Sequence, residues 1–583
     1  RKFGGDSTIV GRTLRVNDEP YTVIGVMQEG MRFPEQEEMW LPLETGTMRE
    51  HRDWRYLQVT ARLADGVSVE SANAWLRDFM RPIEARFPAT NRGFSAWLQP
   101  LQEEVAGEVR KIFLIMIGAV AFVLLIACAN VANLLLVRGA ARQREIALRS
   151  AIGATRGRIV RQLLTESLVL AVAGGALGVL LGTWSIEVFT ATNAPSNMPF
   201  WMKFDVDRTV LLVSAGLTVV TGIVFGLAPA LRLSATSVGE TLKQAGGRSA
   251  SASGWAGRLR SSLVVTQLTL SLVLLVGATL MIRSFMATQE ADLGMKSRGL
   301  LTLDLALAGA RYDNDTVTQA LLATVERELG AIPGVTAVGF TSVMPVKHCC
   351  SDINYFPDGK EYPQSDGPTA FVYDVSPGFV KAAGMTVVEG RGILPTDAAH
   401  GERVAMIDEV FAQREWPGTS AVGRRFKSSP TDSLWTTVVG VVRHVVPRKV
   451  SSNRQTAEVF FALAQRGDRN LTVALRTTSD PSALVRQVQA AMQRIDRELP
   501  LAEVEPMTLS VWNRMFEARV YGIMFAAFGM AALVLAGIGL YGVVSYSVAQ
   551  RTHEMGIRMA LGAGQRAIVR LVVSDSARLV GIG

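Results

Sequence analysis

Apolar positions along this chain fall into two textures. In the first, long runs carry no charge at all: Ile112 to Val137, Ser167 to Ile186, Thr209 to Leu231, Ser261 to Ile282 and Val520 to Gln550. About 20 predominantly apolar residues in a helix cross a bilayer. Helices of soluble proteins average about 12 residues and keep a polar face. The five runs therefore predict membrane helices, and a sixth begins near Leu579. In the second texture, between residues 300 and 518, short patterns alternate. Leu300 to Leu305 predicts a strand, Thr316 to Leu329 a helix, and Val335 to Ser342 a strand behind a Pro333-Gly334 turn. Thr437 to Val442 and Leu471 to Arg476 predict further strands, and Pro481 to Glu498 an amphipathic helix. The fold class is a membrane α-helical bundle plus α+β outer domains.

Composition agrees with lipid as a solvent. The 583 residues exceed one hydrophobic core; 49% are hydrophobic and only 19% charged, below the usual quarter. The net charge of +8 is concentrated in short loops. Arg138, Arg142, Arg144, Arg149, Arg156, Arg158 and Arg161 lie between the first two spans. Arg232, Lys243, Arg248, Arg258 and Arg260 precede the fourth, and Arg551, Arg558, Arg566 and Arg570 follow the fifth. By the positive-inside rule these segments are cytoplasmic, leaving 1–110, the loop near 190–208 and 283–519 outside. The basic excess is a topology signal, and nucleic acid is not an expected partner.

The polar loops repeat. Arg142–Arg161 (RQREIALRSAIGATRGRIVR) aligns without a gap on Arg551–Arg570 (RTHEMGIRMALGAGQRAIVR). Val10-Gly11-Arg12 matches Val422-Gly423-Arg424, and Val23-Ile24-Gly25-Val26 matches Val438-Val439-Gly440-Val441. Matching charges and glycines in polar segments are beyond chance similarity of apolar runs. The expected architecture is a tandem duplication of one span, an outer domain and three spans. It divides into 1–110, a partial first outer domain; 111–235, a first three-helix permease domain; 236–260, a cytoplasmic linker; 261–283, the span opening the second copy; 284–518, the second outer domain; and 519–583, a second, truncated permease domain. On that reading about 150 residues precede Arg1 in a complete chain, which would have about eight spans.

Candidate chemistry is sparse. No phosphate-binding loop, H-E-x-x-H, C-x-x-C or G-x-S-x-G is present, so no catalytic, cofactor-binding or metal site is predicted and the chain is not expected to be an enzyme. Three cysteines exclude a disulfide framework. His348-Cys349-Cys350 reads as a surface loop without companion ligands, and Cys128 as a packing residue. Gly174, Gly178 and Gly182 share a helix face that permits close helix approach. Glu166 and Asp575 sit near the cytoplasmic starts of spans, within reach of Arg161 and Arg570. Asn130 and Asn133 predict interhelical hydrogen bonds. Glu145 and Arg149 are spaced for an i,i+4 ion pair, with Gly153 as a helix stop. Two such amphipathic elements, one per copy, suit a two-lobed or dimeric partner.

The segment Arg144-Glu145-Ile146-Ala147-Leu148-Arg149-Ser150-Ala151-Ile152-Gly153-Ala154 resembles the coupling element of FtsX-like permeases of ABC systems, in their MacB-type branch. Its second copy runs His553-Glu554-Met555-Gly556-Ile557-Arg558-Met559-Ala560-Leu561-Gly562-Ala563. Val375-Ser376-Pro377-Gly378-Phe379, Glu389-Gly390-Arg391, Val404 to Glu409 and Trp416-Pro417-Gly418 resemble the MacB-type periplasmic core, with Asp408 where the family commonly has Asn. The resemblance implies an inner-membrane permease without an ATPase of its own, moved by ATP on a separate ABC ATPase subunit. Arg144, Glu145, Arg149, Gly153, Ala154, Glu554, Arg558, Gly562 and Ala563 would meet that ATPase. Motion would pass to the periplasmic domains for export, a mode called mechanotransmission. A periplasmic adaptor or cell-wall enzyme is the implied outer partner. Regulation of cell-wall enzymes, or an ATPase-independent scaffold or sensor, are the alternatives.

Overall fold

The computed structural model describes all residues except 1–6, 18, 29–30, 32, 34–36, 44–56, 142–144, 146–147, 150–151, 153, 194–203, 236–252, 291–292, 348–350, 361, 363–366, 430–431, 446–455, 551, 563, 567–569, 571–573 and 575–583. The chain forms two compact units, one of residues 1–101 with 287–516 and one of 102–286 with 517–583.

The helical unit holds α1 (Leu101–Ala141), α2 (Arg156–Asn193), α3 (Arg208–Ala235), the body of α4 (Ser253–Glu290), α5 (Phe516–Gln550) and α6 (Thr552–Ala560). Each of the five uncharged runs falls inside one of the first five helices. Among the described residues, four stretches are long and apolar enough to cross a membrane: Arg110–Leu135, Arg156–Thr192, Ser262–Ser284 and Ala518–Gly542. In α3 the apolar stretch among the described residues is Arg208–Val224. Most of their large apolar side chains are exposed, as lipid-facing residues are in an isolated chain.

Contacts inside this unit use small residues and amides, because lipid offers no hydrophobic drive for helix association. Met116, Ala119 and Ile126 of α1 pack with Leu274 and Ala278 of α4 and Phe525 and Ala532 of α5. Between α2 and α3, an added Cβ would lie 2.8 Å from Thr218 at Gly175, 2.9 Å from Ala171 at Gly222 and 2.9 Å from Ser167 at Gly226. This corrects the expectation for Gly174, Gly178 and Gly182, which have no neighbour within 4 Å of such a Cβ among the described residues. The seam is rotated by one residue, about 100°, because the Gly222/Gly226 pair of α3 supplies the groove.

The other unit is built on strands β1 (Thr13–Val16), β2 (Glu19–Thr22), β3 (Leu300–Ala306), β4 (Val335–Thr341), β5 (Ser351–Asn354), β6 (Phe356–Pro357), β7 (Thr369–Val375), β8 (Val387–Gly390), β9 (Val404–Asp408), β10 (Arg425–Lys427), β11 (Thr436–Val442), β12 (Ala457–Ala462), β13 (Asn470–Thr477) and β14 (Leu501–Pro506). One half of the main sheet runs β14-β3-β13-β4. Helix α7 (Asp315–Gly330) joins β3 to β4, and α8 (Pro481–Ile495) joins β13 to β14. That βαββαβ connectivity, with both helices packed on Leu301, Leu303, Val473 and Leu475, is the ferredoxin-like arrangement. Asn314 and Asp480 cap the two helices by accepting from Thr316 N and Ser482 N. The segment between β4 and β13 builds the other half, β7-β12-β9-β11-β10-β6, with parallel pairs β12/β7 and β11/β9. Its core is aromatic: Tyr355 stacks on Phe411 at 4.0 Å, and Phe426 lies against both Phe411 and Phe461.

Two turns have the same hydrogen-bond pattern. Gly11 N donates to Val23 O (2.8 Å), Val23 N to Arg12 O (2.9 Å) and Arg12 N to Ile9 O (3.1 Å). Gly423 N donates to Val438 O (2.8 Å), Val438 N to Arg424 O (2.9 Å) and Arg424 N to Ala421 O (3.1 Å). Both glycines have positive φ, +88° and +83°, which a side chain would strain.

Candidate functional site

The first of the two matching polar segments connects α1 to α2. Glu145 Oε1 and Arg149 Nη2 form the i,i+4 ion pair at 2.6 Å. The other Arg149 nitrogen, Nη1, donates to Gln162 Oε1 on α2 (3.1 Å), and Gln162 Nε2 donates to Glu166 Oε1 (3.3 Å). A polar chain of four side chains thus fastens the segment to the base of the next span. Glu166 is bonded to Gln162, a partner that spacing alone did not single out. Ile152 N closes the last turn on Leu148 O, and Ala154 N bonds back to Arg149 O, the long-range bond of a Schellman closure. Arg144 and Gly153 lie outside the described residues, as do Asp575 and His348-Cys349-Cys350.

The second segment is α6 and the turn after it. Leu561 N bonds Ile557 O, the counterpart of Ile152 on Leu148, and Gly562 N bonds Met559 O. Gly562 has φ +97°, as a glycine stopping a helix does. Glu554 lies within α6, Arg558 is exposed, and Ala563 lies outside the described residues.

Charge alone does not define this surface. Leu148 and Ile152 are 64% and 86% exposed, and their repeat counterparts Ile557 and Leu561 are 50% and 83% exposed. Each segment thus presents an apolar pair one helical turn apart beside its Glu/Arg positions. The sequence signal for them was the same gapless alignment that matched the charges. Apolar side chains this exposed at helical spacing are a feature that marks docking surfaces in general. An open cavity of about 610 Å³ lies beside Arg158, Arg161, Gln162, Thr165 and Glu166 at the foot of α2.

Farther along α1, α4 and α5, three helices meet at one backbone carbonyl. Leu535 O accepts from Asn130 Nδ2 (2.6 Å) and Gln267 Nε2 (2.9 Å), and Ser271 Oγ donates to Ala532 O (3.4 Å). Asn130 therefore makes the expected interhelical bond, whereas neither amide atom of Asn133 finds a partner among the described residues.

With this geometry in hand, the match to known families is specific. The MacB-like periplasmic core domain matches residues 1–79 and 262–491, more than half of the chain, and the FtsX-like permease C-terminal domain matches 117–238. The chain belongs to the MacB-like, FtsX-like family of ABC transporter permeases. This permease is 28% identical over 235 residues to the macrolide export ATP-binding/permease protein MacB of Chromobacterium violaceum, covering 40% of this chain and 34% of that protein. It is 28% identical over 233 residues to the ABC transporter permease YknZ of Bacillus subtilis, covering 38% and 53%. It thus spans about a third of the MacB relative and half of YknZ. Among solved structures, the periplasmic region of MacB from Actinobacillus actinomycetemcomitans is 12% identical with a TM-score of 0.27, covering 38% of this chain and 95% of that one.

Proposed function

We propose that this permease passes ATP-driven motion from a separate ABC ATPase, through two cytoplasmic coupling segments, to its outer domains for export across the inner membrane. The observation that carries the proposal is the pairing of exposed anchors: Leu148/Ile152 and Ile557/Leu561 occupy matching positions beside Glu145/Arg149 and Glu554/Arg558. An ATPase dimer offers two grooves, and a chain with two coupling segments fills both. The first segment leads without a long linker into α2, so a push on it becomes a displacement of that helix. The Arg149–Gln162–Glu166 chain of bonds stiffens the joint in the first copy. The proposal includes the tandem duplication. It is supported by the shared turn at Gly11 and Gly423 and by the matching closures at Ile152 and Leu561.

The test is recovery of partners from native membranes. The native full-length chain should co-purify with a P-loop ATPase, and Glu145→Lys with Glu554→Lys should lower that recovery at least about tenfold, since a reversed charge beside a docked anchor costs more than ~1.4 kcal/mol. No ATPase under any nucleotide condition would contradict the proposal. A cell-wall hydrolase recovered in its place would favour a regulator.

A further inference from the structure

Three adjacent strands of the outer domain, β11-β9-β12, bring Asp408, His444 and Glu458 together. Asp408 ends β9, opposite Val442 of the parallel β11, and His444 follows two residues later. Antiparallel pairing of β12 with β9 (Val459 opposite Ile407) sets Glu458 beside Asp408, and Glu458 N donates to Asp408 Oδ1 at 3.1 Å. Both carboxylates are fully buried, and the His444 side chain is 19% exposed. Among the described residues, His444 is the only basic side chain paired with either.

The carboxylates are oriented as metal ligands are. Asp408 Oδ1 is occupied by two backbone donors, Phe411 N (2.8 Å) and Glu458 N, and Glu458 Oε1 by the Tyr373 hydroxyl (3.2 Å). Glu458 Oε2 accepts from Val445 N at 2.9 Å and keeps a second lone pair. That leaves Asp408 Oδ2 2.6 Å and Glu458 Oε2 3.6 Å from His444 Nδ1, and the three residues bring one donor atom each within 4.8 Å of one another. Tetrahedral zinc, at about 2.0–2.1 Å from each ligand, separates its ligand atoms by about 3.3 Å. The 2.6 and 3.6 Å separations bracket that value. The far oxygen of each carboxylate is thus held by protein donors, as outer-shell groups hold ligands in metal sites, and the near one faces His444.

We propose that Asp408 Oδ2, Glu458 Oε2 and His444 Nδ1 form a zinc site in the outer domain, with solvent at the His444 edge supplying the fourth ligand. One imidazole with two carboxylates suits zinc, whereas calcium and magnesium favour six or more oxygens. A divalent cation cancels two buried negative charges that no lysine or arginine among the described residues balances. Zinc takes the place of the protons its ligands carry, which leave to solvent. It pins three strands whose ligands lie on separate segments, and so acts as a structural ion. The proposal is independent of the coupling role.

The test uses the full chain in detergent, stripped with a chelator and titrated with Zn2+, and separately with Ca2+ and Mg2+. Bound metal is measured by mass spectrometry, and unfolding by temperature. Asp408→Asn keeps the helix cap on Phe411 N, and Glu458→Gln keeps the shape of the site. The native chain should retain one zinc and unfold about 5 °C higher with it. Both variants should fold and bind zinc at least about 100-fold more weakly. A native chain that retains no zinc overturns the proposal, as does uptake unchanged in both variants. Variants that unfold at higher temperature than the native chain in zinc also overturn it, because the buried pair would then be balanced by protons alone.

Discussion

An alanine at Gly539 would place its Cβ 2.3 Å from Asn130 Oδ1 and 2.5 Å from Gln267 Nε2, inside any tolerated contact. Both amides are fixed to Leu535 O, so neither yields without breaking a bond in an apolar interior. Gly539→Ala should therefore cost about 1–3 kcal/mol, read as a lower unfolding midpoint in detergent. Gly537→Ala is the control: nothing lies within 4 Å of its Cβ, and helix propensity should make it neutral or stabilising by up to ~1 kcal/mol. At the coupling surface the balance is different. The Glu145–Arg149 pair is half-exposed, and such pairs contribute about 0.3–0.5 kcal/mol. Glu145→Gln should leave the unfolding midpoint within error while weakening ATPase recovery; a large loss of stability would assign the pair to folding instead. The ion pair was legible because helical spacing is local. Asn130 could be read as polar within a span, but its partner lies 405 residues away. Asp408, His444 and Glu458 gave no signal because sheet pairing, rather than spacing, brings them together.

Elements were read better than their packing. The predicted strand Leu300 to Leu305 is β3, one residue longer at its C-terminal end, and the predicted helix Thr316 to Leu329 is α7, one residue longer at each end. Alternation and helical periodicity are written along the chain. The glycine seam was misplaced by one residue because a helix sequence does not reveal which face its neighbour takes. The sheet's two halves meet where β4 and β7 touch, at Thr341 opposite Val375. Beside that joint Asp374 N donates to Ser342 Oγ (2.9 Å), and its buried carboxylate faces Arg466 Nε at 3.0 Å. Burial pushes Asp374 up from 3.8 to about 6, partly offset by Arg466 and reinforced by Asp468. Since the folded pKa exceeds the unfolded one, the folded chain holds an extra proton between about pH 4 and 6. Stability should rise by about 3 kcal/mol as pH falls through that window, and the gain should be absent above it. Chemical denaturation at stepped pH should show this slope in the native chain and its loss in Asp374→Asn. The same slope in both chains would remove Asp374 as its source.

At the scale of the whole molecule, the long uncharged runs, the basic loops and the repeat set out a permease before any contact was known. Length and sign of charge are enough for that, because bilayer thickness and membrane insertion impose them. What they leave open is the motor. The proposed coupling role commits the exposed pairs Leu148/Ile152 and Ile557/Leu561 to a partner on one side of the membrane, with two matching points of contact. Placing a photo-crosslinking residue at Ile152 or at Leu561 in the full-length chain, in its native membrane, tests that commitment most directly. Both positions should capture the same P-loop ATPase, with yields that change when ATP is added. Capture at neither position, under any nucleotide condition, would contradict the coupling role of these segments.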